Sequence, residues 1–236
     1  MCGRYFRRSD KQRIADHFKV SADLASIVLP NWDYNVAPTT MQPIIRESKD
    51  TFERELVLLR WGLIPFFTSK LSDVNGISTI NARAETVATS GTYREPFRRR
   101  RCIVPADGFY EWQKLDRKTK QPYRFELSSG DPLAFAGLWD AWKEPKRSPQ
   151  QVDTWLQSFT IITTDANELV ANVHTRMPVI LRPSDYDRWL SRAECDPAHL
   201  PIDLLRPFPT DEMQSHKAHA GVGNVKNNGP EMLNSQ

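Results

Sequence analysis

Cys2 is the residue whose chemistry depends most on where it stands in the chain. Initiator methionine is normally removed ahead of a small residue. Loss of Met1 would leave Cys2 with a free α-amine and a thiol on adjacent carbons. An α-amine has a pKa of about 7.7–8.0, so a useful share is neutral at pH 7, whereas lysine, near about 10.4, stays protonated unless it is buried. Such an aminothiol reacts with an aldehyde in two stages. The amine forms an imine, then the thiol adds to the imine carbon and closes a thiazolidine ring. The ordinary alternative is a cysteine that happens to follow a start codon.

Three further groups have types suited to that chemistry. His174, in Asn172-Val173-His174-Thr175-Arg176-Met177-Pro178, follows a predicted helix and lies near an arginine, a setting for a general acid or base. Glu111 lies between Tyr110 and Trp112 in a strand-like run. Alternation puts the two aromatics on one face and Glu111 on the other, and a carboxylate among aromatics tends to have a raised pKa. Asn81-Ala82-Arg83-Ala84-Glu85-Thr86 mixes an amide, a guanidinium and small residues, which suits phosphate and backbone contacts. Trp61-Gly62-Leu63-Ile64-Pro65-Phe66-Phe67 is an aromatic stretch broken by Gly and Pro, and aromatics exposed on a loop stack on bases. Each has a plainer alternative: a hydrogen-bonded structural histidine, an outward strand residue, a helix start with an internal Arg–Glu pair, and core packing.

These residues need a frame. Lys11 to Phe18 predicts a helix, capped by Ser9 or Asp10 and burying Ile14, Ala15 and Phe18. Strands are expected at Pro43 to Arg46 and Glu55 to Trp61, at Ser78 to Asn81, through Arg101 to Trp112, and at Pro122 to Leu127, Leu133 to Leu138 and Ser158 to Thr164. Helices are expected at Asn167 to Asn172 and Ser184 to Leu190, with Pro183 leading into the second. Lys143 to Gln151 reads as a surface loop. Many short strands with few helices predict one α+β domain on an antiparallel, barrel-like sheet with flanking short helices. It spans residues 1–229, with 230–236 as a C-terminal tail and 228–236 frayed.

The 236 residues, 39% hydrophobic and 26% charged, fit an ordinary globular protein. A net charge of +3 is too small to argue nucleic-acid binding. Arg4, Arg7 and Arg8, and the run Arg98 to Arg101 after Arg94, read either as a basic surface for a polyanion or as a solvated face. Cys2, Cys102 and Cys195 are odd in number and show no disulfide or zinc spacing. No signal peptide and no apolar stretch of membrane-spanning length is present. An intracellular, monomeric protein in a reducing compartment, with no metal, no organic cofactor and no membrane association, is the expectation.

Seven blocks in order carry a resemblance: Met1-Cys2-Gly3-Arg4, Tyr34-Asn35-Val36-Ala37-Pro38, Trp61-Gly62, Asn81 to Thr86, Asp107-Gly108-Phe109-Tyr110-Glu111-Trp112, His174 to Pro178, and Gly223-Asn224-Val225-Lys226-Asn227-Asn228-Gly229. Together they resemble the SOS-response-associated peptidase family, whose members shield abasic sites. The resemblance implies a thiazolidine crosslink between Cys2 and an abasic site in single-stranded DNA. It implies that Asn81 orients Cys2 and the sugar, that Glu111 assists proton transfers, and that His174 assists ring opening and imine chemistry. It places Arg4, Arg83 and Arg176 on phosphates, and Pro38, Phe66 and Phe67 as a wedge against bases, where the family often has Trp. Two rival readings remain. One is a cysteine-type peptidase built on Cys2, His174 and Asn81; the other is a non-covalent reader of damaged or modified DNA.

Overall fold

The computed structural model describes residues 2–21, 24, 25, 27–30, 32–74, 79–145, 152–192 and 199–235. Among the described residues are twelve strands, four short α-helices and several single-turn 3-10 helices. The strands are β1 (Tyr5–Arg7), β2 (Asp33–Val36), β3 (Met41–Glu47), β4 (Arg54–Trp61), β5 (Asn81–Arg83), β6 (Arg101–Ala106), β7 (Gly108–Lys114), β8 (Lys120–Leu127), β9 (Leu133–Lys143), β10 (Trp155–Asp165), β11 (Arg176–Pro178) and β12 (Met213–Lys217). The helices are α1 (Lys11–Phe18), α2 (Arg94–Arg99), α3 (Glu168–Ala171) and α4 (Tyr186–Leu190).

Five strands close into a barrel. Their order is β10-β4-β3-β6-β9, and β9 pairs with β10 to complete the ring. Closure removes free edges, so every barrel strand is paired on both sides. Pairing is antiparallel except where β10 meets β4 and β5, which run parallel to it. The interior is apolar and tight. A Cβ on Gly137 of β9 would lie 2.9 Å from the Cys102 sulfur and 3.1 Å from the Thr160 carbonyl oxygen, so only glycine fits.

A second sheet, in the order β12-β8-β7-β1-β2, packs against the barrel. Tyr5 of β1 stacks obliquely on Trp61 and edge-on to Phe135, both in barrel strands. At Gly108 the strands β7 and β1 approach so closely that a Cβ would meet the Phe6 ring at 2.4 Å. Strand β10 outlasts the barrel. Its first half pairs with β9, and its last residues pair with β5 on one side (Ile161 with Asn81) and with β11 on the other (Asp165 with Arg176).

Most expected elements are present. Helix α1 has the expected limits; the Asp10 carboxylate caps it by accepting from the Arg13 N–H at 2.8 Å. The differences have physical reasons. Ser78 lies outside the described residues, as do residues 146–151 of the expected loop, and the extended piece there is Asn81–Arg83. Residues 84–89 are turns, not a helix. Residues 228–236 do not form a frayed tail over the described part. Met232 is 3% exposed in a cluster with Phe6, Tyr110 and Val222, and Asn228 Oδ1 accepts from the Tyr34 N–H at 2.6 Å.

The arginine runs are not a basic face. Arg7 is buried and donates to the carbonyls of Ser9 and Pro30. Arg101 is buried and donates to the carbonyls of Phe97, Arg98 and Trp189. Arg98 and Arg99 pair with Glu95, and Arg100 pairs with Asp140. Backbone carbonyls and carboxylates absorb these charges within the fold.

Candidate active site

Cys2 lies just ahead of β1 and is fully buried. The Tyr110 N–H donates to the Arg4 carbonyl at 2.9 Å, so the chain runs alongside β7 as it approaches Cys2. Burial pushes the Cys2 thiol up, and the negative charge of Glu111 pushes it further. The thiol is therefore neutral near pH 7; its Sγ lies 3.8 Å from the Arg4 carbonyl oxygen.

Glu111 is in β7, on the face shared with Phe109 and opposite Tyr110 and Trp112, as the alternation predicts. It is 3% exposed. Burial raises its carboxyl from 4.5 to about 8, against the opposing positive charge at the chain's amino terminus. At neutral pH most of it is the acid, a proton donor inside a protein interior.

Asn81 and His174 flank the end of β10. Asn81 opens β5 and is buried. Its Nδ2 donates to the carbonyls of Ile80 and Ile161 at 3.1 and 3.4 Å. Its Oδ1 is buried and accepts no hydrogen bond from the described residues. His174 stands in the turn between α3 and β11, with its N–H on the Val170 carbonyl. Its Nδ1 accepts from the Arg176 backbone N–H at 3.0 Å. Nδ1 also lies 3.1 Å from the Arg176 carbonyl oxygen, so the Arg176 backbone holds this nitrogen in either tautomer. Burial lowers its pKa, and the amino-terminal charge adds to that, so the ring is neutral at pH 7.

The hydrophobic surroundings draw these groups together. The cluster around Cys2 includes Ile80 and Ile161 beside Asn81, Phe109 two residues from Glu111, and Val170 and Met177 on either side of His174. The charge of Glu111 acts on the Cys2 thiol.

The expected DNA contacts separate. Arg83 ends β5 and is exposed. Arg4 is half-buried, and its Nη1 donates to Asn35 Oδ1 at 2.9 Å and to the Val222 carbonyl at 3.4 Å. Pro38, partly exposed, sits in the β2–β3 turn before Thr39, whose φ is 72°. Phe66 and Phe67 are 59% and 58% exposed and meet edge-to-face at 5.4 Å. Trp61 to Ile64 are buried, so the aromatic stretch is half core and half surface. Its loop is stiffly held. Gly62 donates to the Phe159 carbonyl at 2.9 Å, Ile64 to Ser158 Oγ at 2.8 Å, and Trp142 Nε1 to the Thr68 carbonyl at 2.7 Å.

Arg176 is held within the protein by three residues. Nη1 donates to Glu85 Oε1 at 2.7 Å and Asp165 Oδ1 at 2.8 Å. Nη2 donates to Glu85 Oε2 at 3.0 Å and the Thr163 carbonyl at 2.6 Å. All four Nη hydrogens are engaged inside the protein.

Two supporting residues emerge only from the structure. Asn35 ties Arg4 to the C-terminal block through bonds from Nδ2 to the carbonyls of Asn224 and Asn227. Glu85, by sequence a partner for Arg83, pairs with Arg176 instead. Both lie inside the seven sequence blocks, and their unexplained polar character is the signal that could have found them. Among the described residues, no group of three or more His, Cys, Asp or Glu is placed to hold a metal ion. No helix among them is long and apolar enough to cross a membrane.

The family described as SOS response associated peptidase (SRAP) matches residues 1–225. The chain belongs to this SRAP family. It is 40% identical over 239 residues to Abasic site processing protein YoqW of Bacillus subtilis (strain 168), with all of both chains covered. It is 32% identical over 226 residues to Abasic site processing protein HMCES of Gallus gallus, covering 85% of this chain and 65% of that one. A crystal structure of a Bacteroides thetaiotaomicron protein matches with a TM-score of 0.83 at 27% identity, covering 98% of each chain. SRAP membership thus spans both the barrel and the second sheet.

Proposed function

We propose that this SRAP protein captures abasic sites in single-stranded DNA by a covalent thiazolidine bond to Cys2, after loss of Met1. The relatives named for abasic site processing set the substrate class. The observation that carries the chemistry is the burial of the Glu111 carboxyl, 3% exposed, together with that of the fully buried Cys2; burial raises this carboxyl to about 8.

The ring-opened abasic sugar presents an aldehyde at C1′, and neutral His174 assists that opening. The α-amine, partly neutral at pH 7, attacks C1′, and the carbonyl electron pair moves to oxygen. The open Oδ1 of Asn81 is an acceptor that orients the amine. Glu111 protonates the carbinolamine oxygen, which leaves as water, and the imine forms. The Cys2 sulfur then bonds to the imine carbon, the thiol proton passes to the Glu111 carboxylate, and the imine electron pair returns to nitrogen. One C–N and one C–S bond form, one water leaves, and no oxidant is needed. A thiol held neutral by burial suits the second step better than the first.

Arg83 and Arg4 supply cationic contacts to the strand, and Phe66 and Phe67 stack on unpaired bases, which favours single strands. We take the protein to act as a monomer inside the cell. The test is incubation with a single-stranded oligonucleotide bearing one abasic site, followed by a denaturing gel. A heat-stable adduct supports capture. Turnover of peptides without an adduct would mean a peptidase, and binding without an adduct would mean a reader.

A further inference from the structure

The Arg176 side chain crosses β10. Thr163 of β10 is opposite Arg83 of β5 on one side and Pro178 of β11 on the other, and its carbonyl receives Nη2 of Arg176. Beyond it, Glu85, two residues past the end of β5, grips the same guanidinium with both carboxylate oxygens. Asp165 adds a third oxygen from β10 itself. A bidentate arginine–carboxylate pair is geometrically specific, since both partners are planar. The Arg176 hydrogen bonds lower the Glu85 carboxyl below its ordinary value.

Two candidate reactive residues hang from the strands this pair joins. Asn81 is the first residue of β5. His174 is two residues before Arg176, and its ring takes the Arg176 backbone N–H on Nδ1. Movement of Arg176 relative to β5 therefore moves the imidazole relative to the Asn81 amide. It also loosens the hold of the Arg176 backbone on Nδ1. We propose that Glu85 is a positioning residue: by clamping Arg176 across β10, it fixes the spacing of His174 and Asn81 and the tautomer of the His174 ring. The assignment rests on the covalent-capture reading for its catalytic consequence, but not for its effect on the histidine ring.

Glu85→Gln removes the charge and one of the two acceptor oxygens while keeping the size. Glu85→Asp keeps the charge at shorter reach. Two readouts apply. The first is the ¹⁵N chemical shifts of the His174 ring in free protein, assigned by comparison with His174→Gln; these report which nitrogen carries the proton. The second is the single-turnover rate of crosslinking to an abasic oligonucleotide, alongside affinity for an undamaged strand. Glu85→Gln is expected to give a mixture of ring tautomers and to slow crosslinking by up to about 10²-fold, the scale of a small misplacement of a reacting group. Strand affinity should stay within about twofold, and Glu85→Asp should recover the wild-type tautomer and most of the rate. A wild-type tautomer and rate in Glu85→Gln would overturn the proposal. So would reduced affinity at an unchanged rate, which would put Arg176 on the DNA instead. If Glu85→Gln does not fold, Arg176→Lys decides the matter, and unaltered ring shifts and rate in that variant would overturn the proposal. Absence of any adduct with wild type would refute covalent capture, while the ring shifts would still judge the clamp.

Discussion

Asp107 holds Ser9 twice, taking hydrogen bonds from its backbone N–H and from its hydroxyl, both at 2.8 Å. It also takes the Arg8 N–H at 2.6 Å. Asp107 immediately precedes β7, and Ser9 follows β1, so this carboxylate locks the two strands in register. That register sets Cys2 beside Glu111. Asp107→Ala leaves these buried donors without an acceptor, at about 1–3 kcal/mol each. The expected loss is at least about 3 kcal/mol in urea unfolding, and an unchanged midpoint would contradict this role.

The amine and thiol of Cys2 separate by mutation. Cys2→Ala keeps an α-amine once Met1 is removed and still forms an imine. The imine acidifies the neighbouring C2′ proton and permits β-elimination of the 3′ phosphate. Wild type is expected to give a lasting adduct without borohydride and little strand cleavage. Cys2→Ala should give an adduct only with borohydride, and nicked DNA. Durable crosslinking by Cys2→Ala would point to a different nucleophile. Intact-mass measurement should also find Met1 absent from all crosslinking-competent protein.

Glu111→Gln should slow crosslinking by about 10²–10⁴, the usual contribution of one general acid–base group, with strand binding nearly intact. It should also alter the pH dependence of stability. The folded protein holds the Glu111 proton up to about 8, while the unfolded chain releases it near 4.5. Between those values the folded state binds more protons, so unfolding free energy falls as pH rises. Wild type should lose stability relative to Glu111→Gln across that window, with the difference flat on either side. Parallel stability curves from pH 4 to 9 would show that the acid is not raised.

Arg83 and Arg176, alike in sequence, should behave differently. Arg83→Ala should reduce the salt dependence of single-strand binding by roughly 0.7, the slope carried by one neutralised phosphate, and leave stability within about 0.5 kcal/mol. Arg176→Ala should lower stability, because Glu85 and Asp165 lose their shared cation and the Thr163 carbonyl keeps only the Ala84 N–H. Equal salt slopes for Arg83→Ala and wild type would place the strand elsewhere.

Phe66→Ala and Phe67→Ala should each weaken single-strand binding by about 1–3 kcal/mol while leaving the fold intact, since both rings are exposed. Titration of a fluorescent oligonucleotide measures this, and wild-type affinity in both variants would exclude stacking there.

The sequence disclosed those parts of the molecule whose signals are local. Helix α1 was legible because a cap and a three-residue apolar face lie within one short window. The β7–β8 hairpin was legible because its alternation brackets a charged turn. Strands β1, β2, β11 and β12 were not, since each is five residues or fewer and is defined by distant partners. The arginine clusters misled because charge is read one residue at a time, whereas Asp140, Glu95 and the Trp189 carbonyl that absorb it come from elsewhere in the chain. Arg176 shows the same gap within the site: its partners, Glu85 and Asp165, are 91 and 11 residues away.

Strand β1 has a bearing on how the protein is made. It leaves the ribosome before the other strands described, yet it pairs on one side with β7 and is pinned by hydrogen bonds spanning 98 residues at Ser9 and 218 residues at Arg4. Translation runs at about 5–20 residues per second, so the Cys2 end waits many seconds for its enclosure. Under the covalent-capture proposal, the aminothiol of Cys2 is during that interval an unprotected end on a growing chain, open to methionine removal and also to any free aldehyde. Its sealing depends in part on Val222, so a chain cut short of that residue would then be reactive rather than merely inactive.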